Sequence, residues 1–115
     1  IVEASSWQGP YHRISAPDVT SCDHCLEDPF VWRDKRGNWH VLYHLMFTPG
    51  GQGALGSWSG AHSSSSDGLN WSPAVRCYNT TVPLEGGSSV TLHRRERPKL
   101  VFDESGQPTH LSNGV

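Results

Sequence analysis

The chain has 115 residues and a formal charge of −2, enough for one small core and without the basic excess that nucleic acid or an anionic membrane would require. No apolar run approaches the roughly 20 residues that span a bilayer. Twelve glycines, eight prolines and five tryptophans, against a single methionine, favour turns and strands over helices.

Residues 1–23 read as the end of a preceding sheet. The chain opens on Ile1, as a processed product or an excerpt would. Cys22 and Cys25 then form a C-x-x-C, and Cys77 is the third cysteine. Four-coordinate zinc needs further ligands, and no second C-x-x-C or paired-histidine helix follows. We therefore expect no metal and no cofactor, but a disulfide from Cys77 to Cys22 or Cys25, with one thiol left over.

Next comes "EDPFVWRDKRGNWHVLYH", a carboxylate pair and a proline leading into a hairpin. Residues 30–34 should pair with 38–46 around the turn Asp34-Lys35-Arg36-Gly37-Asn38. Trp39, Val41, Tyr43 and Leu45 alternate with His40, Leu42, His44 and Met46, which is period two with both faces partly buried. Gly50, Gly51, Gly53 and Gly56 make a loop, after which residues 61–64 and 73–78 read as two more strands around an Asp67-Gly68 turn. Asn79-Thr80-Thr81 is a glycosylation sequon, which suits a secreted, extracellular glycoprotein.

The chain then repeats itself. "ERPKLVFDESGQPTHLSN" lays over the first hairpin at constant offset, with Glu96 on Glu27, Pro98 on Pro29, Asp103 on Asp34 and Gly106 on Gly37. Residues 99–103 should therefore pair with 108–113. Four antiparallel strands per repeat is the pattern of a β-propeller blade. The fold class expected is thus all-β, a propeller segment: residues 1–23 end one blade, 24–92 form a complete one and 93–115 begin the next. A propeller needs at least four blades to close, so the remainder of the ring is the expected partner.

On these residues the chain resembles the five-bladed propeller glycosidases, the clan of glycoside hydrolase families 32, 43, 62 and 68. Glu27-Asp28-Pro29 is similar to the second acidic motif of that clan, an Asp-Pro opening an inner strand. Glu96-Arg97-Pro98 is similar to the third, Glu-x-Pro, in the next blade and in the right order. "SSWQGPY" and "SSSDGLNW" are similar to segments common to these folds. Two departures stand out. Glu27 occupies a place where the fructan-cleaving families usually have arginine, and Arg97 one where a small residue is usual.

The resemblance implies hydrolysis of a glycosidic bond in a carbohydrate. Glu96 would be the general acid and Asp28 the transition-state stabiliser or the group that tunes the acid, with a third carboxylate upstream. Taking Asp28 rather than Glu27 as the partner of Glu96 requires a small register difference between the two hairpins. Glu27, His44, His62 and Arg97 are candidate substrate-binding residues. Trp32, Trp39, Tyr43, Trp58 and Trp71 could stack on sugar rings, although blade packing accounts for most of them. The competing expectation is a non-catalytic glycan-binding or structural extracellular propeller. As an acid, Glu96 should turn inward while Arg95 and Arg97 point away from it.

Overall fold

The computed structural model describes residues 2–14, 26–45 and 59–115. Among them there is no helix. The strands are β1 (Val2–Glu3), β2 (His12–Arg13), β3 (Leu26–Arg33), β4 (Trp39–Leu45), β5 (Ser59–Ser65), β6 (Val75–Tyr78), β7 (Thr81–Pro83), β8 (Ser89–Thr91), β9 (Glu96–Phe102) and β10 (Pro108–Gly114). Every pairing is antiparallel: β3-β4-β5-β6 form a four-stranded meander, while β1-β2, β7-β8 and β9-β10 are two-stranded.

Local chemistry sets the two expected hairpins. The Asp34 carboxylate accepts the Asn38 N–H at 2.8 Å, and Gly37 turns the chain at φ +89°. The later turn repeats this: Asp103 accepts the Gln107 N–H at 2.9 Å, and Gly106 lies at φ +74°. Only glycine takes such a φ without a steric penalty. β5 and β6 are joined by a turn in which the Asp67 carboxylate accepts the N–H groups of Leu69 and Asn70, each at 2.8 Å. Ser63–Ser65 thus belong to β5 and Ser66 opens the turn. The β1-β2 and β7-β8 hairpins were not among the expected elements.

The meander has two unlike faces. On one, Val41, Tyr43, Leu45 and Ala61 form the buried core, with Leu26, Trp71 and Ala74 packed against it. On the other, Phe30, Trp32, His40 and His62 make a band of rings, and Phe102 of β9 lies 6.5 Å from Phe30 and 6.3 Å from Trp32. The second hairpin thus packs on the face of the first sheet through β9. Cys77 carries a free, exposed thiol. Cys22 and Cys25, the partners expected for it, lie outside the described residues.

Candidate functional site

The carboxylates stand where each hairpin begins, and a bulge positions them. In β3-β4, Glu27 pairs with His44 but Phe30 pairs with Leu42, so Asp28 and Pro29 together oppose Tyr43 alone. Proline has no N–H to give the ladder, and the extra residue is accommodated by Asp28 at φ +52°. The second hairpin does the same. Glu96 pairs with Gly114 and Lys99 with Ser112, so Arg97 and Pro98 oppose Asn113, and Arg97 lies at φ +51°. These two are the only non-glycine residues with positive φ among the described residues. A left-handed residue before proline is sterically disfavoured, so both hairpins hold the same strained conformation at the same place.

The register difference expected between the hairpins is therefore absent. Glu27 is the counterpart of Glu96, and Asp28 is the counterpart of Arg97. The physical reason is the shared carboxylate-x-Pro sequence, which places the bulge identically in both.

The bulge brings Glu27, Asp28 and His44 together, their ligand atoms all within 4.8 Å of one another. His44 is fully buried (0 % exposed), and its Nδ1 lies 3.2 Å from Glu27 Oε1, while the Glu27 side chain remains 44 % exposed. Burial, above all, pushes the Tyr78 phenol up to about 12, and the Asp28 charge adds to the rise. The same phenol donates to the Arg95 carbonyl at 3.3 Å, next to Glu96.

Glu96 is largely enclosed, with 19 % of its side chain exposed, and pairs with Arg94 at 3.0 Å. Arg95 turns elsewhere. Its guanidinium donates to the Asn79 carbonyl and to Asn113 Oδ1, each at 2.9 Å, and covers the Tyr78 ring. Arg97 is exposed and forms no ion pair with Glu96 among the described residues. The two arginines expected to leave Glu96 do so, and Arg94 takes their place. Sequence reasoning missed that pair because Arg94 precedes β9, outside any strand pattern.

His62 is not brought to the Glu27 carboxylate. Its Nε2 lies 3.0 Å from His40 Nδ1, beside Trp32, and His40 Nε2 lies 3.4 Å from Asp34. Burial and the neighbouring His40 hold the His62 imidazole below its usual range. Tyr43 and Trp71 belong to the core side, and Trp58 lies outside the described residues. Asn79 is exposed, with its side-chain oxygen accepting the Thr81 N–H at 2.9 Å.

Compared with protein-family models, curated proteins and solved structures, the chain matches none.

Proposed function

We propose that the chain is part of a secreted, glycan-acting β-propeller hydrolase, with Glu96 as general acid and Asp28 as stabiliser of the developing charge. The observation that carries this reading is the pair of matching bulges, which set Glu27 and Glu96 at equivalent starts of two hairpins packed through β3 and β9. Asp28 has no counterpart carboxylate in the second hairpin; its place beside Glu27, with donor atoms within 4.8 Å, supports its role without a register difference. Backbone strain of this kind gathers at functional sites. The four-stranded meander with a second hairpin on its face supports the blade arrangement, with the rest of the ring as partner. Exposed Asn79 would carry a glycan.

In this reading Glu96 protonates the leaving oxygen while a third carboxylate, contributed from upstream, attacks the sugar or activates water. A separation of about 5–5.5 Å between the two carboxyls would give retention, and about 6.5–9.5 Å inversion. Proton donation requires the Arg94 pair to open, which a substrate that engages Arg94 would accomplish. Substrate hydroxyls would meet Glu27 at its exposed edge.

The Arg94-Glu96 pair also favours a second reading, a non-catalytic glycan-binding propeller in which Glu96 stays an anion. Incubating the full-length protein with a panel of oligosaccharides separates the two. We expect turnover that falls by about 10²–10⁴-fold in Glu96→Gln, the usual contribution of a general acid. Binding without turnover in the wild type would leave the second reading standing, and neither binding nor turnover would remove both.

A further inference from the structure

We propose that Glu27, Asp28 and His44 form a binding site for a divalent first-row cation of the zinc or manganese class. Among the described residues this is the one place where three such donors converge, with ligand atoms all within 4.8 Å of one another. The set combines two carboxylates with one fully buried imidazole. Ligands of a cation at about 2.0–2.2 Å stand about 3–3.5 Å apart around it. Glu27 Oε1 and His44 Nδ1, at 3.2 Å, already have that spacing. Asp28 needs to close by only a little more than an ångström or so, on the scale of a side-chain adjustment.

The second hairpin acts as an internal control. Its bulge has the same register and the same left-handed residue, yet Arg97 stands in the place of Asp28 and Gly114 in the place of His44. The frame therefore forms without a second carboxylate and without a histidine. Asp28 and His44 are not there to make the bulge. What the first hairpin adds to a common frame is a mixed oxygen and nitrogen donor set.

That set selects among metals. Calcium prefers six to eight oxygen ligands, whereas carboxylate with imidazole suits zinc or manganese. Two carboxylates and a neutral imidazole balance a dication. Glu27 is open to solvent on one side, leaving coordination positions for water or a hydroxyl-bearing ligand. The proposal stands on the donor set and does not depend on the glycan reading.

The test uses full-length protein stripped with a chelator and titrated calorimetrically with Zn²⁺, Mn²⁺ and Ca²⁺. We expect one equivalent of Zn²⁺ or Mn²⁺ per chain, and binding weakened by about 10–100-fold or more in Glu27→Gln and in Asp28→Asn, the scale seen when a metal's supporting groups are lost. Glu104→Gln, in the exposed turn between β9 and β10, should bind as the wild type does. His44→Gln removes a buried side chain and could unfold the sheet, so half-exposed Glu27 carries the test. Absence of binding, binding of calcium alone, or unchanged affinity in both carboxylate variants would overturn the proposal. Oligosaccharide turnover, measured separately, reports on the glycan reading whichever way the titration falls.

Discussion

At Gly60 a single hydrogen is all that fits. A Cβ there would overlap the Tyr78 ring, and Tyr78 is itself fixed by Arg95 and buried against β5. Gly60→Ala should therefore destabilise the protein by about 1–3 kcal/mol through overpacking, read as a lower urea midpoint at unchanged slope. Gly60→Ala in a Tyr78→Leu background should cost less, because the ring is gone. Arg97 has the opposite sign. Its φ of +51° is strained for any side chain, so Arg97→Gly should stabilise by up to about 1 kcal/mol, and a loss of stability would show that the guanidinium holds the hairpin. His62 makes stability depend on pH. Its folded pKa is lowered by burial and by His40, so the unfolded chain binds the proton more readily. The contribution is complete above the unfolded value near 6.5 and is lost as pH falls toward the folded one. Unfolding from pH 7.5 down to 5.5 should show less slope in His62→Asn than in the wild type.

The hairpins and turns are the elements most legible in the sequence. Asp and Gly at matching places in 34–38 and 103–107 encode both turns, and period-two patterning marks β4 because one face is core and the other is packed by rings. β1, β2, β7 and β8 are two or three residues long, too short for any alternation to show. The bulge is half legible. Proline after a carboxylate marks its place, but one extra residue reverses which side chains share a face, and no residue type announces that. For this reason the adjacency of Glu27 and Asp28 can be read directly, whereas the equivalence of Glu27 with Glu96 needs the register. Asp67 carries the turn between β5 and β6. The Asn70 backbone N–H, the Asn70 side-chain amide, the Leu69 N–H and Ser65 all favour its anion and hold its carboxyl well below the usual range. Asp67→Ala should lower stability above about pH 4, with the difference from wild type shrinking as acid protonates the unfolded carboxylate.

At the scale of the whole molecule, the described strands leave apolar surface open. Val31, Trp39, Val75, Val101 and Leu111 are among the large apolar side chains left open. In the propeller proposed above, neighbouring blades would cover them. On that reading residues 1–115 alone should unfold at lower denaturant than the same residues within a longer chain that supplies those blades, followed by hydrogen exchange of β4 and β5. Equal protection in the two would count against the propeller.

The matching bulges have a consequence for how such a protein diversifies. One mechanical part is used twice, and the left-handed position accepts aspartate in one copy and arginine in the other. Charge at that position is decoupled from folding, so a duplicated hairpin can exchange its chemistry while keeping its shape. Arg97→Asp with Gly114→His would transplant the donor set of the first hairpin onto the second, and the backbone is already built to receive it.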